Sequence, residues 1–215
     1  MDAPLPAPPA VADLRRVGIR PAEMVPVTAA GVLLWRVHRT TGEHVVPWNT
    51  HRRYGPILRF DHHPQPVDTH PDHGVWYGAY DAVTALAEAF QRHRLIDRVT
   101  GAPRLTSVQL TPRLLDLTGE HGAWPTRAGG NFAISTAAHA VTQAWAHRIS
   151  HAFPQIDGMR YHSRWGGRPA VVLWSGPGSG RVRFPALPMH SWALADPRLH
   201  GRLSAAAARL GYALV

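Results

Sequence analysis

The chain has 215 residues, enough to bury one substantial core and too few for two comfortable domains. A hydrophobic share of 45% with eight tryptophans excludes a disordered chain, and the lack of cysteine excludes disulfides and thiolate metal sites, which fits a reducing cytosol. Twenty-three basic against 14 acidic side chains give +9 with histidine neutral, a field that favours anionic partners. The basic residues are dispersed, without the long run expected of a nucleic-acid tail.

Residues 1–10 are rich in proline and alanine and lack the basic-then-apolar order of a signal peptide. No run approaches the ~18 apolar residues of a membrane span. Residues 1–30 read as a lead-in with a short helix around 11–17, and residues 31–215 as the domain proper. Its first element is the β-rich run Val32-Leu33-Leu34-Trp35-Arg36-Val37, ending near His38. Residues 40–72 show little periodicity and many turn residues, the pattern of a long functional loop. A strand follows at 75–79. Asp81 then caps a helix whose stripe is Val83, Leu86, Ala87 and Phe90, with Glu88 off that stripe.

Further along, the pattern predicts a strand over 104–110 and a proline-started turn of helix over 112–117 that stops at Gly119. Ser135 is the expected cap of a helix carrying Ala138, Val141, Trp145 and Ile149 out to about Phe153. β-like runs at 170–174 and 181–184 flank the glycine-rich residues 175–180, which read as a hairpin turn. A final helix starts at Asp196-Pro197 and stops at Gly211, before a short terminal strand at 212–215. Strands and helices mix without a regular βαβ alternation, so the expected class is a single α+β domain.

Two tempting signals are set aside. His62, His63, His70 and His73 interleave with Asp61, Asp68 and Asp72, but the stretch is proline-rich and the spacing is not that of a helix-borne ligand pair, so no metal is expected there. Residues 175–180 lack the lysine and spacing of a phosphate-binding loop, and no G-x-S-x-G elbow is present.

More specific is an ordered series of five segments: Trp35-Arg36-Val37, Arg59-Phe60-Asp61, Val75-Trp76-Tyr77-Gly78-Ala79, Ala85-Leu86-Ala87-Glu88 and Tyr161-His162-Ser163. Arg36 and Arg59 offer planar forks that match phosphate oxygens. Phe60 and Tyr77 offer rings that stack on a base. Glu88 offers a carboxylate able to hydrogen-bond a ribose hydroxyl and stabilise developing positive charge, and Ser163 a hydroxyl that positions ribose or nicotinamide. Each has a plainer reading: Arg36 as a solvated strand face, Glu88 as the i,i+4 partner of Arg92, Tyr77 as core, Ser163 as a turn residue.

The order of these segments resembles the RES-domain family, from about residue 30 to the C-terminus. The resemblance implies a fold similar to ADP-ribosyltransferase toxins, a mixed sheet with flanking helices. It also implies cleavage of the nicotinamide–ribose bond of NAD+, a substrate and not a cofactor, with water or inorganic phosphate as acceptor. Arg36, Glu88 and Ser163 match the family's catalytic positions, and Arg59, Phe60 and Tyr77 its substrate-binding ones. Members are cytoplasmic toxins of two-gene modules, so a separately encoded Xre-like antitoxin is implied. Two positions depart from the pattern: Leu58 replaces the usual glycine before the second arginine, and Asp61 the usual asparagine after the aromatic. Two alternatives stay open. One is transfer of ADP-ribose to a protein, weakened by Ala85-Leu86-Ala87 where an acidic or glutamine residue would precede Glu88. The other is a basic nucleic-acid-binding module, for which no interleaved basic and aromatic pattern is present.

Overall fold

The computed structural model describes residues 4–176 and 182–215. In chain order the elements are α1 (Val11–Val17), β1 (Val32–His38), β2 (Tyr54–Gly55), β3 (Asp68–Thr69), β4 (Gly74–Ala79), α2 (Ala82–Phe90), β5 (Leu95–Ile96), β6 (Arg104–Leu110) and β7 (Leu114–Asp116), then α3 (Trp124–Arg127), α4 (His139–Ala152), β8 (Gly158–His162), β9 (Pro169–Ser175), β10 (His190–Ala193), α5 (His200–Leu210) and β11 (Ala213–Leu214). Seven strands form one mixed sheet in the order β10-β6-β1-β4-β9-β8-β7. Neighbours are antiparallel except β7 and β8, which run parallel. The architecture is α+β, as the mixed element order predicts.

Side-chain alternation divides the core between the two faces of this sheet. Along β9, Ala170, Val172 and Trp174 face a large cluster under the helices, while Val171 and Leu173 face a smaller one with Leu34, Trp76 and Val108. β9 feeds both clusters because it is apolar on each side. The larger one also takes in the N-terminal segment: Leu14 is fully buried, and Pro6 and Gly18 accept the indole N–H groups of Trp145 and Trp124 at 2.8 and 3.0 Å.

The helix expected over 112–117 is a strand. Leu114 joins the smaller cluster and Leu115 the larger, so burial on both faces demands alternation, and β7 meets it by pairing with β8. Ser135 does not cap α4. It ends a 3-10 turn at Phe132–Ser135, and the cap position of α4 falls three residues later at Ala138, which makes no side-chain cap. The loop over 40–72 carries a small hairpin, β2 with β3. The turn expected at 175–180 lies, from residue 177 on, outside the described residues, as does Arg181; residues 182–184 form no strand. The edge strand β10 escaped the pattern because His190-Ser191-Trp192-Ala193 has no clean alternation. Asp196 accepts the Arg198 N–H at 2.9 Å and starts the last helical segment; Gly211, at φ 65°, closes it in the left-handed conformation that favours glycine. Among the described residues no helix is long and apolar enough to cross a membrane.

Candidate active site

The site arises where the sheet opens. β1 pairs with β6 along its whole length, from Val32↔Leu110 to His38↔Arg104, but meets β4 at Trp35↔Ala79 alone. At its other end β4 pairs with the loop instead, where Arg52 and Val75 exchange backbone hydrogen bonds of 2.8 and 2.9 Å. The parted strands leave a cavity of about 230 Å³ whose wall includes Trp35, Arg36, Arg59, Tyr77, Glu88 and Arg164.

Glu88 reaches this cavity from α2, a helix started by Asp81, whose carboxylate accepts the Thr84 N–H at 2.9 Å. The Ser163 hydroxyl donates to Glu88 Oε1 at 2.5 Å, and Gln91 Nε2 lies 3.4 Å from Oε2. Its partners are therefore not Arg92. Burial lifts the Glu88 carboxyl above the ordinary glutamate value; the Ser163 hydrogen bond, the charge of Arg59 and Gln91 pull the other way without cancelling it.

Ser163 itself is buried at 3% exposure and stands behind the carboxylate, not on the cavity wall. Its oxygen accepts the N–H groups of Gly166 at 2.8 Å and Trp165 at 3.2 Å, so the hydroxyl proton is aimed at Glu88. The turn comes this close to α2 because residue 166 is glycine: a Cβ there would stand 2.7 to 2.9 Å from atoms of Thr84. The serine thus hydrogen-bonds the glutamate from behind the wall; contact with ribose or nicotinamide was the expectation from sequence.

The cationic side is built from separate elements. Arg36, on β1, lies over the Trp76 ring at 5.4 Å and keeps a buried Nε without a hydrogen-bond partner. Burial, and then the charge of Arg52, bring its guanidinium down to about 10. His38 and His51 feel its charge and, mainly through burial, are held at about 4, so they are neutral near pH 7 and add no like charge beside Arg36. Arg59 donates to the Ala137 carbonyl, and burial lowers its pKa while Tyr161 and Glu88 partly oppose that. A buried guanidinium with free donors invites an anion.

Asp61 organises the loop between them. It is fully buried and accepts two hydrogen bonds of 2.8 Å from Arg52 Nη2, the N–H groups of Ile57 and Leu58 at 2.7 and 2.9 Å, and the Tyr77 hydroxyl at 2.9 Å. The Tyr77 oxygen also accepts the Phe60 N–H at 3.0 Å, and burial followed by the Asp61 charge holds its hydroxyl well above the usual tyrosine value.

Phe60 corrects its expected role. Its ring is 0% exposed, packed on Tyr161 at 4.7 Å, and is no part of the cavity wall. Arg59 and Phe60 sit in a turn that puts Arg59 on the cavity wall and its neighbour in the core. Sequence reasoning missed Arg52, His139, Arg164 and Trp165, which also line the cavity. Arg164-Trp165 follow Ser163 directly and were visible as its neighbours; nothing local marked Arg52 or His139.

The histidine-rich loop packs apart from this wall. His62 stacks on Trp174 at 5.4 Å, and His62, His63, His70 and His73 lie ring against ring with centroids 5.2 to 6.5 Å apart. Burial drives His62 and His63 downward, the latter to about 4. Among the described residues no three histidine, aspartate or glutamate side chains converge as a metal-ligand set.

A parted mixed sheet here holds one buried carboxylate and several guanidinium groups around one cavity, a chemistry complementary to an anionic ligand. The chain belongs to the RES-domain family: the model of the RES domain matches residues 33–196. A solved structure described as the M. tuberculosis MbcT–MbcA toxin–antitoxin complex contains a chain similar in fold, with a TM-score of 0.51, 16% identity, and coverage of 81% of this chain and 89% of that one. No curated protein matches the chain.

Proposed function

We propose that this protein cleaves NAD+ at the nicotinamide–ribose bond and serves as the toxin of a toxin–antitoxin pair. The observation that carries the reading is Glu88, a buried carboxylate held by Ser163 and facing Arg59 in a cavity whose wall also carries Arg36, Arg52, Arg164 and the rings of Trp35, Tyr77 and Trp165. As the C1′–N bond breaks, its electron pair leaves with nicotinamide and the ribose gains oxocarbenium character. Glu88, placed by Ser163 before the reaction starts, stabilises that charge with no reorganisation at the moment it develops. Arg36 and Arg59 hold the diphosphate, and Tyr77, fixed by Asp61, forms a wall for the nicotinamide ribose. Water or inorganic phosphate then forms the new C1′–O bond and releases a proton to solvent.

Transfer to a protein acceptor is disfavoured by Ala85, which lines the cavity just before Glu88 and has no group to orient an incoming side chain. Family membership, the likeness to a chain of a toxin–antitoxin complex and the +9 charge support a separate antitoxin with an acidic face, acting in the cytoplasm. Purified protein incubated with NAD+, with and without phosphate, tests the chemistry: nicotinamide should appear with ADP-ribose or its phosphorylated form. No nicotinamide under either condition overturns the proposal.

A pH profile reports on Glu88 directly. The carboxylate must be ionised to act, so kcat/KM should fall as pH drops through its raised pKa, placing the acid limb above the ordinary glutamate range. Ser163→Ala removes a hydrogen bond that favours the ionised form and should move that limb to still higher pH. An unmoved limb would show that Ser163 does not tune the carboxylate.

A further inference from the structure

We infer that the stack of near-parallel rings formed by Trp35, Trp192 and His190 is the subsite for the adenine base of the dinucleotide. The inference rests on the NAD+ reading above and names where its second half lies. The cavity of about 230 Å³ is smaller than the roughly 300–1,000 Å³ of sites that enclose a drug-sized ligand. A dinucleotide therefore cannot be enclosed whole: one nucleotide occupies the cavity and the other lies on adjoining surface.

One adjoining surface suits a purine. Trp35 belongs to the cavity wall, and on the same face of the sheet Trp192 lies 6.0 Å from it at 18° between planes. His190 lies 4.8 Å from Trp192 at 11° and 6.5 Å from Trp35 at 18°. Register explains the arrangement: Trp35 pairs across to Ser107, and Ser107 to His190, so a small side chain separates the rings and leaves them near-parallel. The edge strand that carries two of the rings is clamped by Arg104, which donates to the Ser191 hydroxyl at 2.9 Å and its carbonyl at 2.8 Å. His190 is exposed and Trp192 partly so.

The other aromatic wall is less suited. Trp165 already has the guanidinium groups of Arg94 and Arg164 over its ring at 5.7 and 5.5 Å. A base stacks on any aromatic face that solvent reaches, and the exposed His190 end of this stack, beside the partly exposed Trp192, offers one.

Titration calorimetry with two ligands separates the subsites: ADP-ribose, which carries adenine, and nicotinamide mononucleotide, which does not. Trp192→Ala should weaken ADP-ribose about tenfold and leave nicotinamide mononucleotide within about twofold, His190→Ala should do the same more mildly, and Trp192→Phe should retain most of the affinity. Unchanged ADP-ribose affinity in Trp192→Ala, equal weakening of both ligands, or a selective loss in Trp165→Ala instead would each overturn the assignment, as would no ADP-ribose binding by the wild type. Nicotinamide release from NAD+ is scored separately: its absence, with ADP-ribose still bound through Trp192, would end the cleavage reading and spare the subsite. Unaltered nicotinamide mononucleotide binding doubles as the control for folding.

Discussion

Glu88→Gln is expected to lower kcat for nicotinamide release by at least about a hundredfold while leaving the protein as stable as before. The rate effect follows from preorganised electrostatics: removing one group aimed at developing charge in a dry site typically costs about 10²–10³ in rate, and a full carboxylate is at least as influential. The stability effect has the opposite logic. Burial already penalises the ionised side chain, as its raised pKa shows, so an uncharged amide of the same shape gives up no net favourable interaction with solvent. The amide oxygen still accepts the Ser163 hydroxyl proton. Loss of rate with an unchanged thermal midpoint would place Glu88 in the chemistry; retention of activity within tenfold would remove it.

The second large effect concerns stability. Asp61→Ala should destabilise the fold by about 3–5 kcal/mol, read from denaturant midpoints, because it breaks a buried ion pair from one side. Arg52, 16% exposed, loses both of its hydrogen bonds to the carboxylate, and the N–H groups of Ile57 and Leu58 and the Tyr77 hydroxyl lose their acceptor together. Asp61→Asn keeps an acceptor oxygen and should cost less, yet it brings an amide NH₂ towards a guanidinium that only donates. A loss below about 1 kcal/mol in Asp61→Ala would mean that the loop is held by other contacts. The same network explains one departure from the family pattern. An aspartate where asparagine is usual is sustainable here because Arg52 answers its charge.

Much of the fold was legible. β-rich runs marked β1 and β6 to within a residue, and the Asp81 cap and apolar stripe marked α2, because each of these depends on neighbours close in the chain. Where a local signal competed with burial, burial won. Pro112 pointed to a helical turn, but Leu114 and Leu115 had separate cores to fill on opposite faces of the sheet. Ser135 had the right chemistry for a cap and stood three residues too early.

The candidate site divides in the same way. The residue types in order, Arg36, Arg59, Tyr77 and Glu88, were enough to suggest an anion site with a carboxylate, since a guanidinium or a carboxylate has the same chemistry wherever it is folded. Which of them share a cavity, that Phe60 turns inward, that Ser163 hydrogen-bonds Glu88 behind the cavity wall, and that Arg52 is tied to Asp61 were decided by the tertiary structure. Those roles depend on contacts between segments far apart in sequence, Glu88 with Ser163 and Trp35 with Trp192 among them, and no local pattern encodes such distances. The chain's own residues set its charge, its elements and its chemical repertoire; the parting of β1 from β4 determined where that repertoire meets.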